Sequence, residues 1–102
     1  MHNGTIAQAD RWLAQWVPQI VASPAYQSGR LAVLIAWDEG SGRGNAPSHA
    51  ALIAMSASTP PGTRSSLPLN DFSIARAICE VTAIPFVGRS AEAPSLVAAF
   101  HL

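Results

Sequence analysis

Seven consecutive apolar residues, at positions 31–37, constrain the fold of this chain more than any other feature of its sequence. A strand with one wet face alternates apolar and polar residues, whereas a continuous apolar run is typical of a strand that is covered on both faces. The run therefore predicts a buried strand of a parallel or mixed sheet. A membrane-spanning helix needs about 20 apolar residues, so no transmembrane segment is expected.

A second apolar segment, residues 50–55, predicts another strand, and stretches with helical spacing lie before and after the pair. The first helix is expected to begin at Asp10, a favourable N-cap residue, and the second at Asn70 or Asp71. This order predicts an α/β fold with a mixed sheet flanked by helices. Because two strands do not make a free-standing sheet with both faces covered, residues 1–102 are expected to form an incomplete part of a larger domain.

Composition narrows the possible partners of the chain. Charged residues make up 12% of the sequence, six arginines balance six acids, and lysine is absent. A chain with so little net charge is not expected to bind nucleic acid. The same scarcity of charge does little to protect an exposed apolar strand edge, so self-association through the sheet edge is expected. The single cysteine, Cys79, leaves the localisation open.

Two acids directly follow the first predicted strand, and a histidine precedes the second. In open α/β sheets, ligands bind beyond the carboxyl ends of strands, which is where Asp38 and Glu39 lie. Carboxylates there can bind a hard cation, and Gly40 permits the backbone to turn so that both acids face one site. His49 can serve as a metal ligand through a neutral ring nitrogen. The alternatives are an acidic strand end that faces water and a histidine with a structural hydrogen bond.

A group of hydroxyls and one arginine forms a weaker candidate for an anion site. Ser65, Ser66, Ser73 and Arg76 lie near the predicted start of the second helix, where backbone N–H groups attract anions. The alternative is that Ser73 caps the helix and Arg76 is an ordinary surface residue. Three tryptophans are expected in the core rather than on a stacking surface: Trp12, Trp16 and Trp37.

These features occur within a series of motifs that resembles the C-terminal third of the bacterial phosphoesterase family, which includes phospholipase C-like and acid-phosphatase-like enzymes of the alkaline-phosphatase-like superfamily. The similarity extends along essentially the whole chain. The motifs are, in order, Asp10-Arg-Trp-Leu, Ser28-Gly-Arg, Trp37-Asp-Glu-Gly, Ser48-His49, Pro60-Pro-Gly-Thr-Arg64, Phe72-Ser-Ile-Ala-Arg76, Ala93-Pro-Ser and the final Ala-Phe-His-Leu.

The resemblance implies a metal-dependent α/β sandwich that hydrolyses phosphate esters with a Ser or Thr nucleophile. Asp38 and Glu39 match the acidic metal-site pair of the family, and His49 matches its catalytic histidine. Met1 and His2 look like the end of an Asn-Asp-x-His segment, which implies that His2 is a metal ligand and that Met1 is internal to a longer sequence. The divalent cation is expected to be zinc, manganese, calcium or magnesium.

The chain departs from the family pattern in three respects. The N-terminal two thirds of the family, with the nucleophile and the first metal ligands, are expected to lie outside it, and so is the Asp of the Asn-Asp-x-His segment. Asp71-Phe72-Ser73 stands where the family usually has His-Tyr-Ser. The main expectation is therefore the C-terminal part of a phosphoesterase, inactive on its own. The alternative is a catalytically inactive truncated remnant, or a subunit that completes a site only beside a second chain.

Overall fold

The computed structural model describes residues 4–38, 40 and 48–102. These residues form a small α/β domain with four α-helices, one short 3₁₀ helix and a two-stranded antiparallel sheet, so the α/β class is confirmed at this level. The elements are α1 (Ile6–Val21), α2 (Pro24–Gln27), β1 (Val33–Ala36), β2 (Leu52–Met55), α3 (Asp71–Thr82), the 3₁₀ helix (Gly88–Glu92) and α4 (Leu96–Phe100). No helix in the described ranges is long and apolar enough to cross a membrane.

Helix α1 begins five residues earlier than the sequence predicts, with Thr5 rather than Asp10 as its N-cap. The Thr5 hydroxyl accepts a hydrogen bond from the Gln8 backbone N–H at 3.2 Å, and the Gln8 side-chain oxygen accepts one from the Thr5 N–H at 2.7 Å. This reciprocal capping box satisfies two N–H groups that the first turn leaves without partners. The prediction of an N-cap at Asp10 is wrong because the Thr-x-x-Gln signal outranks it. The helix continues as one element through Pro18.

The sheet is short, and its two faces have different surroundings. Strands β1 and β2 lie inside the two predicted apolar segments and pair with Leu34 opposite Ala54 and Ile35 opposite Ile53. Because directly opposed residues share a face, Leu34 and Ala54 lie together on the face that packs against the core. Ile35 and Ile53 lie on the opposite face, which we call the outer face, and Ile53 is 44% exposed.

The core lies between the inner face of the sheet, α3 and α4. Leu96 is fully buried, and Ala77 and Phe100 complete the buried cluster around it. Leu34, Leu52 and several residues of the helices pack against this cluster while remaining half-buried. The buried apolar set of the described residues is small: Ala77, Cys79, Ala93, Leu96 and Phe100.

Helix α1 contributes nothing to this core. None of its residues is buried, although Leu13, Val17 and Ile20 form an apolar stripe along it. Trp12 is 59% exposed and Trp16 is 42% exposed, with their ring centroids 6.4 Å apart. The prediction that these two tryptophans belong to the core is therefore wrong, because the described residues place no packed layer over this helix. Trp37 is half-buried.

Candidate functional site

The antiparallel pairing of the sheet brings the two predicted site segments to the same end of the molecule. The carboxyl end of β1 lies beside the amino end of β2, and the Trp37 N–H donates to the Ala51 carbonyl at 3.0 Å. Asp38 follows β1 and His49 precedes β2, so both residues lie at this end. A parallel pair would have separated them by the length of a strand.

Gly40 holds the loop close to the backbone of His49. Its N–H donates to the Ser48 hydroxyl at 3.0 Å, and a Cβ atom built on it would overlap the carbonyl group of His49. Residue 40 therefore needs to be glycine because of this close approach of two backbone segments. The contact fixes the position of His49 relative to the end of β1.

Asp38 and His49 line a groove of about 1120 Å³. We call it the strand-end groove. Most of its lining comes from two segments of the chain, which we call the first wall (residues 36–38, 40 and 48–52) and the second wall (residues 63–71), and Ile74 and Phe100 also line it. Both Asp38 and His49 are exposed, so their side chains are open to a ligand in the groove. Glu39 and His2, the other two predicted metal ligands, lie outside the described residues.

The donors in this groove do not make a complete site for a divalent cation within the described residues. Zinc takes about four ligands from nitrogen, sulfur and oxygen atoms, and calcium takes six to eight oxygens. In the part of the chain that the structure describes, no three His, Cys, Asp or Glu side chains lie close enough together to hold a metal ion. Asp38 and His49 thus supply a carboxylate and an imidazole to one groove, and a complete site needs further ligands.

The second wall of the strand-end groove carries a guanidinium and hydroxyl groups. Arg64, Ser65 and Ser66 lie on it, followed by the apolar residues Leu67 and Leu69. The two serines are predicted anion-binding residues, whereas Arg64 was not predicted in that role. The signal in the sequence was an arginine directly beside two serines. Only the folded chain shows that these residues share a groove with Asp38 and His49.

Ser73, another of the predicted anion-binding residues, is buried, and its hydroxyl takes part in capping α3. The Ser73 hydroxyl accepts from the Asn70 N–H at 3.2 Å, and the Asn70 side-chain oxygen accepts from the Ser73 N–H at 3.3 Å. The prediction of a cap at Asn70 or Asp71 is thus confirmed at Asn70. Ser73 has no exposed surface, so the capping interpretation holds and a role in binding an anion is excluded.

Arg76 is likewise a structural residue. Its Nε donates to the Glu80 carboxylate at 2.7 Å, and its Nη1 donates to the carbonyls of Ala91 at 3.2 Å and Ala93 at 2.7 Å. Its guanidinium also lies 5.3 Å from the ring centroid of Phe86. Both expectations for Arg76 are wrong: it is neither an ordinary surface residue nor available to an anion, because it joins α3 to the segment before α4.

Glu80 completes this network from the other side. Its second carboxylate oxygen accepts from the Ser95 hydroxyl at 2.7 Å, and Ser95 also caps α4 through the Ala98 N–H. Burial alone would raise the pKa of Glu80, but the hydrogen bonds from Ser95 and Arg76 and the positive charge of Arg76 outweigh it. The pKa of Glu80 therefore lies below its ordinary value.

The carboxyl end of the chain is held by a second set of hydroxyls. The Ser58 hydroxyl donates to the His101 carbonyl at 2.6 Å, and the Thr59 hydroxyl donates to the Phe100 carbonyl at 2.7 Å. Ser56 lies between them, 3.0 Å from the Ser58 oxygen and 2.8 Å from that of Thr59. These side chains satisfy carbonyls that the end of α4 leaves without helical partners, which is a structural role.

Comparisons of the chain with models of known protein families, with curated proteins and with solved structures find no match.

Proposed function

We propose that this chain is the C-terminal part of a metal-dependent phosphoesterase, and that phosphate esters bind in the strand-end groove. The observation that supports the proposal is that Asp38, His49 and Arg64 all line the same groove. A carboxylate, an imidazole and a guanidinium around one opening can together bind a cation, exchange a proton and attract a phosphoryl group.

Asp38, Glu39 and His2 are the proposed ligands of the divalent cation, which is zinc, manganese, calcium or magnesium. A cation held there would act as a Lewis acid on a phosphoryl oxygen. Asp38 contributes a carboxylate to the lining of the groove, and its side chain is exposed. The resemblance of the Trp-Asp-Glu-Gly motif to the acidic pair of the family is the second support for this assignment.

His49 is the proposed catalytic residue. An imidazole accepts a proton at one ring nitrogen and donates one at the other, so His49 can transfer a proton to or from an ester oxygen. The close approach of Gly40 to the backbone carbonyl of His49 holds His49 at the same end of the sheet as Asp38. In this scheme the nucleophile that attacks phosphorus is supplied by residues beyond this chain.

A second candidate function, a subunit or remnant that is inactive on its own, is favoured by the exposed apolar surfaces. Helix α1 has no buried residue, and Ile53 on the outer face of the sheet is 44% exposed. A chain with two such surfaces is expected to pack against further protein. This candidate shares the groove with the first, and it differs in that the groove of the chain alone does not bind a divalent cation.

The two candidates are separated by metal binding to the full 102-residue chain. Isothermal titration with each of the four cations is expected to show weak, saturable binding of at least one of them. Asp38→Asn should weaken that binding tenfold or more, since a carboxylate ligand is lost. Asp10→Asn, which changes an exposed acid of α1, is the matched control and should leave binding unchanged.

Absence of saturable binding, or equal binding by the wild type and Asp38→Asn, would contradict the phosphoesterase proposal and favour the inactive remnant. A parallel assay of p-nitrophenyl phosphate hydrolysis tests the position of the nucleophile. No turnover is expected from this chain alone, because covalent catalysis needs the nucleophile. Metal-dependent turnover that disappears in Asp38→Ala would show that a nucleophile lies within the 102 residues.

A further inference from the structure

A tight turn fixes the start of the second wall of the strand-end groove. The Thr63 N–H and the Thr63 hydroxyl both donate to the Pro60 carbonyl, at 3.2 and 2.7 Å. Pro61 and Gly62 occupy the two central positions, and Gly62 has a φ of 79°, which is the arrangement of a type II turn. Proline presets its own φ and glycine accepts the positive one without strain. Arg64 therefore directly follows a turn that has few alternative conformations.

We propose that Arg64, with the hydroxyls of Ser65 and Ser66, recognises the phosphoryl group of the ligand in the strand-end groove. The proposal rests on the proposed function, and it adds the residues that bind the anion. A guanidinium presents paired N–H donors that match two phosphate oxygens, so it binds a phosphate with both charge and geometry. Among the described residues that line the groove, Arg64 carries the only guanidinium.

The hydroxyl of Ser65 can donate a hydrogen bond to the same phosphoryl group. It accepts a hydrogen bond from the Leu67 N–H at 3.2 Å, which uses one of its acceptor positions. The hydroxyl proton is not used in that bond, so Ser65 can still donate to an anion. Ser65 is half-buried and Ser66 is exposed, so both residues have surface open to solvent.

The positive charge of Arg64 also offsets negative charge in the groove. Asp38 and Asp71 both line the groove, and two carboxylates would repel a phosphate in the absence of a cation. Neither of two other arginines can take this role. Arg76 is held by Glu80 and two carbonyls, and Arg89 lies over the ring of Phe72 at 5.2 Å.

The test is a titration of the ¹⁵N-labelled full chain with inorganic phosphate, followed by NMR at constant ionic strength with a chelator present. Saturable shifts are expected at the amides of residues 64–67. Arg64→Gln should weaken binding about tenfold or more, because charge-assisted hydrogen bonds are lost. Arg64→Lys should fall between the two, since it keeps the charge and loses the paired donors. Arg11→Gln, on α1, is the matched control and should bind as the wild type does.

A double variant, Ser65→Ala with Ser66→Ala, is expected to weaken phosphate binding several-fold while the amide spectrum of α3 and α4 stays unchanged. Absence of saturable binding, or equal affinity of Arg64→Gln and the wild type, would overturn the proposal. The chelator makes this result independent of the cation. Loss of metal binding with retained, Arg64-dependent phosphate binding would thus refute the proposed function alone, and the reverse pattern would refute the role of Arg64 alone.

Discussion

Arg76 and Glu80 lie one turn apart on α3, with the guanidinium Nε 2.7 Å from the carboxylate, and their remaining polar atoms reach other elements. Arg76 binds the carbonyls of Ala91 and Ala93, and Glu80 accepts from Ser95. An isolated ion pair at this spacing stabilises a helix by about 0.3–0.5 kcal/mol. Here the pair also fixes the start of α4 against α3, so its loss should affect the whole C-terminal half.

The first prediction concerns the stability of the chain against pH. Because the pKa of Glu80 is below its ordinary value in the folded chain, the ionised carboxylate stabilises the fold above that ordinary value. This contribution is lost as the pH falls through the lowered pKa. Glu80→Gln is expected to reduce the free energy of unfolding by about 1–3 kcal/mol at neutral pH and to flatten its dependence on pH in the acid range. Urea unfolding from pH 7 down to pH 3 measures both.

Glu92→Gln is the matched control for the pH prediction, because Glu92 is an exposed acid at the end of the 3₁₀ helix. It should keep the acid dependence of the wild type. An acid transition in Glu80→Gln as steep as that of the wild type would show that another carboxylate governs it.

The second prediction concerns the end of α3. Ala83 follows the helix with a φ of 55° and ψ of 36°, a left-handed conformation in which its Cβ is strained. Relief of about 1–2 kcal/mol of strain, less the roughly 0.4–1 kcal/mol of backbone entropy that glycine loses on folding, leaves a net gain. Ala83→Gly should therefore raise the free energy of unfolding by about 0.5–1 kcal/mol, as measured by thermal or urea unfolding.

Ala75→Gly, in the middle of the same helix, is the matched control with the opposite sign. It is expected to cost about 1 kcal/mol, because glycine is a poor residue for a helix interior. Destabilisation by both substitutions would mean that Ala83 is not left-handed in solution.

The third prediction concerns self-association. The outer face of the sheet carries Val33, Ile35, Ile53 and Met55, of which Ile53 is the most exposed. Two short strands with an apolar outer face and free edges favour pairing with a second copy. Light scattering of the wild type should rise more than linearly with protein concentration. Ile53→Lys should reduce this rise, since a charge on the contact surface opposes the association.

Ile78→Lys tests whether any added charge has this effect. Ile78 is 52% exposed on α3, away from the sheet, and its replacement should leave the association of the wild type unchanged. A wild type that stays monomeric at every concentration and melts cooperatively would show that these 102 residues complete a fold without a partner.

Short-range signals in the sequence predicted the two strands and the cap of α3. The apolar segments at 31–37 and 50–55 contain β1 and β2, and Asn70 caps α3 as its residue type suggests. The start of α1 was also encoded locally, in the Thr5 and Gln8 capping box, although the sequence-based prediction placed the N-cap at Asp10. Each of these features depends on contacts within a few residues, which a linear pattern can display.

The surroundings of each residue were decided by the tertiary structure. A tryptophan is usually buried, yet Trp12 and Trp16 are exposed because the described residues supply no layer to cover α1. Arginine is usually a surface residue. The carbonyl partners of Arg76 lie 15 and 17 positions further along the chain. No pattern around Arg76 indicates those partners.

For the candidate site, the sequence by itself determined the residue types: acids after one strand, a histidine before the next and an arginine beside two serines. Only the antiparallel pairing of β1 and β2 decided that Asp38 and His49 lie at one end of the sheet. Only the tertiary structure brought Arg64 into the lining of the same groove as Asp38 and His49. The physical reason is that strand direction and packing depend on contacts between residues far apart in the chain, whereas caps, turns and apolar runs depend on near neighbours.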